Sequence, residues 1–528
     1  MDDKSSAYNG TANKLSTRLI NNTLYNILGA IWAVLLSLCT TPYIVYKLGN
    51  DSFGIFSVVM VIAGYFSILD FGFGSAVIKY LSEKKDEEAD NKTSGKIIGT
   101  AFSSNLFAGF IGSAAMFVFA DKLALYFVHS ESGSTGPILQ EASNAIRICT
   151  VIFFLNMASA VFLSILQAKQ RFDLLNILMT VNKTALTLGM VIVLASGGNL
   201  YHVMYSYLAI TLFSLLYYFF SCRKILPIGI SFRPQFDRHS FRRLFSFGLF
   251  TTIGKVASLL VRQLDRLILG AMMPIKWVSF YSVPSSISLW IVQATTKISP
   301  VIFPAASEIR ASDSPDKLQT LFTKSMKYCF ILSLPLCVLM AAIPDKVLLY
   351  WLGPVIGPEF ASKSSLSLTF LAVGALFESL TAVPAMIILG IGRPDIQAIF
   401  AITSGVANAA LLIFLVPRYG INGASLSYMI NTTLFGFVCI LYVIKKLKFN
   451  MMVILWKSIV PASFAGLVYT LILLLCKSLV TSRILLVFFA VLGGLFFILF
   501  LILFKAIGKE EYGIALSYLS RMKGNKKH

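Results

Sequence analysis

Fourteen stretches of this chain are apolar over enough residues to cross a bilayer as helices, and that feature decides the fold class before any other. They lie near 21–46, 53–78, 97–119, 145–167, 173–196, 200–221, 244–271, 277–303, 326–343, 365–391, 396–416, 422–444, 454–476 and 483–505. A spanning helix needs about 20 mainly apolar residues. Inside hydrocarbon every backbone N–H and C=O must be paired within the protein, which leaves helices or a closed barrel. Runs of this length read as helices, so the expected fold is all-α integral membrane with about 14 transmembrane helices. The ninth run is the shortest and carries Pro335. Composition agrees: charged residues are 13% of the chain, against about 25% in a soluble domain.

The charge pattern sets orientation. A net charge of +21 would suit a nucleic-acid binder, but the basic residues are not gathered into one soluble patch. They fall in short connections on alternate sides. One set holds Lys79, Lys84, Lys85, Lys92 and Lys96, then Lys169 and Arg171, then Arg223, Lys224, Arg233, Arg238, Arg242 and Arg243, and continues to Lys445, Lys446 and Lys448. The opposite connections are roughly threefold poorer in Lys and Arg, so the rich side is cytoplasmic. An even number of spans puts both termini there. The expected plan is a cytoplasmic segment 1–20, a six-helix bundle 21–221, a basic linker 222–243, a second six-helix bundle 244–444, two further helices over 454–505 and a basic tail 506–528.

The two bundles are read as repeats. At an offset of about 222 residues, I-L-Q-A-K-Q-R-F-D (165–173) falls on I-I-L-G-I-G-R-P-D (387–395), which sets Arg171 on Arg393 and Asp173 on Asp395. T-L-F-S (211–214) matches T-L-F-G (433–436), and Y-L-S-E (80–83) matches A-A-S-E (305–308). A shared offset across several helices is a repeat signature. Six is even, so the repeats are parallel, related by an axis along the membrane normal. Two such bundles are expected to leave a central cleft.

Charges inside the apolar runs need a reason. The seventh run carries Lys255, Arg262, Asp265 and Arg266; in one continuous helix the three cations, spaced seven and four apart, share a face. Facing lipid, three cations would cost roughly 9 kcal/mol on the insertion scale, which rivals a whole folding stability. That face must look at water, acidic partners or an anionic ligand. Arg147, Lys183 and Lys297 are further intramembrane cations, so the expected substrate-binding set is Lys183, Lys255, Arg262, Arg266, Lys297 and Arg147. Asp70, Asp265 and Glu378 are the ion-coupling candidates. Competing structural readings stand beside these: an ion pair among Arg262, Asp265 and Arg266, snorkelling of Arg147 and Lys297 to headgroups, and Asp70 balancing a neighbouring cation.

Soluble chemistry is missing from the sequence. It has no G-x-x-x-x-G-K-[ST] phosphate loop and no H-E-x-x-H. Its four histidines (129, 202, 239, 528) lack metal-ligand spacing, and its seven cysteines form no C-x-x-C pair. The polar start, MDDKSSAYNGTANKLSTR, is too long before the first apolar run for a signal peptide. No metal, cofactor or enzymatic activity is expected.

Four segments resemble Wzx-type polysaccharide flippases: Y-K-L-G-N-D-S-F-G-I-F-S-V-V (46–59), I-L-D-F-G-F-G-S-A-V-I-K-Y-L-S-E (68–83), Q-L-D-R-L-I-L-G (263–270) followed by V-S-F-Y-S-V (278–283), and Y-G-I-N-G-A-S-L-S-Y (419–428). The resemblance implies the multidrug/oligosaccharidyl-lipid/polysaccharide exporter fold, alternating access, and a cargo of undecaprenyl-pyrophosphate-linked oligosaccharide such as an O-antigen or exopolysaccharide repeat unit. It matches Asp70 and Asp265 to recurring acidic positions and gives the last two helices a role in a lipid-tail groove. Lipid II flippases carry arginine-rich first helices; here no charge lies between Asn21 and Tyr46, which argues against that cargo. The expected function is therefore flipping of a lipid-linked oligosaccharide in a bacterial inner membrane, with membrane lipids and polysaccharide-assembly proteins such as a polymerase as partners, and no nucleic acid. The rival readings are an ion-coupled drug-type exporter, which would favour an acidic cavity, a non-transporting scaffold, and a glycosyltransferase or ligase with loop-borne acids.

Overall fold

The computed structural model describes residues 2–83, 88–129, 135–226, 234–296, 299–311, 314–352 and 358–504. Among the described residues eighteen α-helices follow one another, with no strand beyond an isolated bridge between His129 and Pro274. By contacts the chain divides into two compact units, residues 1–282 with 401–424, and 283–400 with 425–528.

The first unit contains α1 (Asp2–Phe66), α2 (Phe73–Ser82), α3 (Glu88–Val118), α4 (Ala120–Phe127), α5 (Thr135–Ala168), α6 (Phe172–Ala195), α7 (Leu200–Ile225), α8 (Arg238–Arg262) and α9 (Leu264–Met272). α5 is its centre and packs on α1, α2, α3, α4 and α7. Helices α10 (Ile275–Thr296) and α15 (Pro394–Lys446) run through the unit boundaries. The second unit contains α11 (Ser299–Ala311), α12 (Pro315–Ala342), α13 (Pro344–Leu352), α14 (Pro358–Gly390), the one-turn α16 (Met451–Ile454), α17 (Val460–Leu475) and α18 (Arg483–Leu503). There α14 packs on α11, α12 and α13, and α12 carries α17.

Among the described residues, ten helices are long and apolar enough to cross a membrane. Two of them are pairs. α15 has 53 residues, or ~80 Å at 1.5 Å per residue, against a hydrocarbon core of ~30 Å. It breaks at Gly420 (φ 56°, ψ −132°), and α1 breaks likewise at Gly49 (φ 76°, ψ 167°). The expected eighth and thirteenth spans correspond to α10 and to the 16-residue α17, the latter preceded by a π-helical turn over Leu455–Ile459. The protein is a multi-pass helical membrane protein. Its exposed apolar side chains, dense on α18 (Ile484, Val487, Val491, Leu495, Ile498), are those that hydrocarbon solvates.

The segments read as repeats, 165–173 and 387–395, have the same local geometry. After α5, Gln170 adopts φ 54°; its N–H donates to Gln167 O at 3.0 Å and the Arg171 N–H to Leu166 O at 3.0 Å. After α14, Gly392 adopts φ 79°, with Gly392 N–H to Leu389 O at 2.9 Å and Arg393 N–H to Ile388 O at 3.1 Å. Each helix thus ends on a left-handed residue with crossed hydrogen bonds that satisfy its last carbonyls. In each copy the following arginine then pairs with the aspartate two residues on, Arg171 with Asp173 at 3.0 Å and Arg393 with Asp395 at 2.9 Å. Compactness cuts the chain elsewhere, because α8 and α9 pack on α1, α2, α3 and α4.

Candidate functional site: a broken second span against α8

The second span does not run straight. A 3-10 turn over Ser67–Asp70 is followed by Phe71 (φ 44°) and Gly72 (φ 69°), and only then by α2. Left-handed backbone is unfavourable for a residue with a β-carbon, so Phe71 holds this conformation only because its surroundings impose it. α8 supplies those surroundings. A β-carbon on Gly72 would stand 2.3 Å from Gly248 O, and one on Gly248 would stand 2.2 Å from Phe71 O. The two backbones touch where neither residue has a side chain.

α8 begins at Asp237, whose carboxylate accepts from the Ser240 N–H at 2.8 Å. The hydrogen bond from Ser240 holds that carboxyl below the usual carboxylate range. Two turns beyond Gly248, the Lys255 ammonium lies 2.5 Å from Asp70 Oδ2. Asp70 is buried, 8% exposed, and its Oδ1 is buried with no hydrogen-bond partner. Lys255 keeps 42% of its side chain exposed. A buried carboxylate tied to one half-exposed ammonium, with its second oxygen unmet, is an incompletely satisfied pair. Asp70 therefore does what one structural reading expected: it balances a cation.

α8 ends at Arg262, and α9 restarts at Leu264 after Gln263 (φ −133°). The seventh span is therefore not one continuous helix, and the shared cationic face extends only from Lys255 to Arg262; Arg266 belongs to the next helix. Side chains from two other helices meet the carbonyls around the break. Tyr65 donates to Leu259 O at 3.1 Å and Asn408 to Leu260 O at 3.0 Å, as a break at membrane depth requires. Gly64 leaves room for Gln263, whose Oε1 a β-carbon would meet at 2.6 Å. Arg262 is exposed and Arg266 partly buried. Asp265 is 4% exposed; it accepts from the Tyr281 phenol and from the Arg266 backbone N–H at 2.8 Å.

The other expected site residues lie apart. Lys183 sits exposed on α6; no hydrogen bond or ion pair links it to the Asp70–Lys255 pair. Arg147 is bound by both oxygens of Asp121 at 2.9 and 3.0 Å and by Asn144 Oδ1 at 3.3 Å, which ties α5 to α4. Glu378, on α14 in the second unit, accepts from the Tyr428 phenol. Lys297 lies outside the described residues. Tyr65, Tyr281, Asn408 and Gln263 escaped the sequence reading. The available signal was the presence of polar groups such as Gln263 and Asn408 inside otherwise apolar runs.

A family model described as polysaccharide biosynthesis protein matches residues 19–310, more than half of the chain. The chain belongs to that family. The matched span holds the broken second span, all of α8 and α9, and three of the four segments that resemble Wzx-type flippases. Among relatives of this family member, a putative O-antigen transporter from Shigella flexneri is 25% identical over 416 residues, 79% of this chain and 95% of its own length. The fold is shared with a structure of the lipid II flippase MurJ in an inward closed conformation (TM-score 0.70, 14% identity, 92% of this chain and 99% of that one). It is also shared with an inward-facing multidrug resistance MATE transporter of the MOP superfamily (TM-score 0.65, 14% identity, 81% and 94%). This family member therefore has the fold of the multidrug/oligosaccharidyl-lipid/polysaccharide exporter superfamily.

Proposed function

We propose that this chain is a Wzx-type flippase that moves a polyprenyl-pyrophosphate-linked oligosaccharide, such as an O-antigen or exopolysaccharide repeat unit, from the cytoplasmic to the outer leaflet by alternating access. The observation that carries the reading is the half-exposed Lys255 ammonium, held beside a broken span by a carboxylate with one oxygen left unmet. A diphosphate is a stronger anionic partner than one carboxylate. On binding, it takes Lys255 from Asp70 and engages Arg262, with Arg266, Lys183 and Lys297 completing the cationic path and Arg147 at its outer end. Asp70, buried and deprived of its cation, then has room for a coupling ion in its place, because a lone buried charge needs a partner. That exchange couples transport to an ion gradient, and Glu378 and Asp265 are the further coupling candidates. Family membership and the O-antigen relative support the cargo class.

The same reading puts the protein in a bacterial inner membrane with both termini cytoplasmic, supported by the basic bias of one set of loops. It takes 21–221 and 244–444 as the two repeated transport halves, supported by the recurring turns at Gln170 and Gly392. Polymerase and assembly proteins are its proposed partners, and no bond is made or broken. The drug-exporter reading has the MATE fold likeness on its side, but the excess of cations around α8 repels organic cations.

The test is a proteoliposome assay with a fluorescent undecaprenyl-pyrophosphate oligosaccharide, read by loss of accessibility to an added quencher, beside efflux of a cationic dye. Translocation of the lipid without dye efflux is expected. Dye efflux without lipid movement would assign the drug-exporter role. Movement of neither would assign the scaffold role. Collapsing proton and sodium gradients is expected to slow lipid movement; an unchanged rate would remove the coupling.

A further inference from the structure

We infer that the first unit carries a separate loading site for a branched isoprenoid chain, an aromatic chamber of about 540 Å³ between α2, α3 and the start of α8. This rests on the proposed function in taking a polyprenyl lipid as cargo. It belongs to the first unit, whereas the family resemblance assigns the tail to the last two helices, which belong to the second.

Phe71, Phe73, Phe236, Phe241 and Phe245 line the chamber, with Phe107, Ser103, Ser104 and Ala108 of α3 opposite. The rings hold one another at fixed tilts. Phe71 and Phe245 are 5.7 Å apart, Phe73 and Phe241 5.9 Å, and Phe236 and Phe241 5.2 Å. Ring pairs at these distances are mutually favourable and stiff. Instead of closing on themselves, they leave a volume within the usual range of a small-molecule pocket. The rim is open: Phe107 is 68% and Phe236 65% exposed. The chamber begins at the same Phe71 whose left-handed backbone is pinned against Gly248, so the break that positions Asp70 also shapes this wall.

Depth and charge identify the occupant. Phe241 and Phe245 lie roughly 5–10 Å along α8 from Arg238, where that span begins, at 1.5 Å per residue. That is inner-leaflet hydrocarbon on the basic side of the protein. Beside the lining residues Phe241 and Phe245 in sequence, Arg238 and Arg242 are exposed on α8. They alternate with Phe241 and Phe245 at spacings of three, four and seven, one stripe of the helix. An amphiphile with an anionic head at Arg238 and Arg242 sets its first chain atoms among the rings. The chamber is short and wide, not a long slot. That shape suits a chain with a methyl branch on every fourth carbon and flat alkene units against ring faces, and it wastes volume around a straight saturated chain. From this site Lys255 is the next cation along α8, about 15 Å beyond Phe245, so the head has a directed path inward.

The test uses the full-length protein in detergent micelles and native mass spectrometry with two probes, undecaprenyl phosphate and dioleoyl phosphatidylglycerol. The wild type is expected to bind undecaprenyl phosphate at least about tenfold more tightly than the phospholipid. Ser104→Phe fills the chamber and is expected to erase that preference while leaving phospholipid binding unchanged. Arg238→Gln with Arg242→Gln weakens binding of both lipids. Phe107→Ala, on the open rim, provides a milder variant with an expected several-fold loss for the isoprenoid alone. Equal binding of both lipids by the wild type overturns the isoprenoid assignment. So does an unchanged preference in Ser104→Phe or, should that variant not fold, in Phe107→Ala. Transport that persists in a variant with a filled chamber and lost binding removes the loading site and leaves the proposed function standing. A wild type that binds but moves no lipid does the reverse.

Discussion

Gly72 and Gly248 meet backbone to backbone: a β-carbon on the first would lie 2.3 Å from the carbonyl oxygen of the second. The contact lets the second span break beside α8 and turns Asp70 toward Lys255. Gly72→Ala is strained twice, by its φ of 69° and by that collision. Both Gly72→Ala and Gly248→Ala should therefore lower stability by roughly 2 kcal/mol or more. Gly254→Ala on the same helix meets no atom within 4 Å and should be neutral or stabilising by up to ~1 kcal/mol. Thermal unfolding in detergent, followed by fluorescence, checks the contrast; equal effects at the three positions would deny the contact.

The repeated turns predict opposite outcomes for one exchange. Gln170 bears a side chain at φ 54° where its counterpart is Gly392 at φ 79°. Gln170→Gly should stabilise by up to ~1 kcal/mol and Gly392→Ala should destabilise by about as much. Arg171→Ala and Arg393→Ala remove exposed, solvent-screened pairs and should each shift the unfolding midpoint less than either turn variant. The midpoint shifts of the four variants in one unfolding assay check this.

Asp237 predicts a pH dependence. Its folded-state carboxyl titrates below the ordinary carboxylate range because Ser240 donates to it. A depressed folded pKa gives stability that is complete above the ordinary value and is lost as pH falls through the folded one. The start of α8 should therefore loosen in acid, seen as lower amide protection factors over residues 238–241 once the intrinsic pH dependence of exchange is divided out. Asp237→Asn still caps a helix, so its protection there should vary less with acidification than the wild type's.

Much of the fold was legible because hydrocarbon admits few solutions: long apolar runs, basic loops on one side and the 222-residue offset all register in linear order. The packing of the site was not. Asp70 and Lys255 are 185 residues apart, and nothing in either segment names the other. The break at Phe71–Gly72 was hidden because glycines are common in membrane helices. The break at Gln263 has no glycine or proline beside it; it depends on Tyr65 and Asn408, which reach its carbonyls from distant helices. Tyr281 reads as an apolar filler until its phenol is seen on Asp265. The cation spacing was correct along α8 and failed at Arg266 because a helical period holds only while the helix continues.

Under the proposed function Lys255 serves the cargo and Asp70 holds it ready, and a variant that separates stability from transport tests this. Lys255→Met alone leaves a buried carboxylate without its cation and should cost up to ~3 kcal/mol, moderated by the exposure of the lysine. Asp70→Asn with Lys255→Met removes both charges and should return stability to within ~1 kcal/mol of the wild type. The decisive measurement is the rate at which proteoliposomes bearing that double variant translocate the labelled undecaprenyl-pyrophosphate oligosaccharide. The account predicts a loss of at least about tenfold, near 1.4 kcal/mol of lost interaction, in a fully folded protein; translocation at the wild-type rate would contradict it.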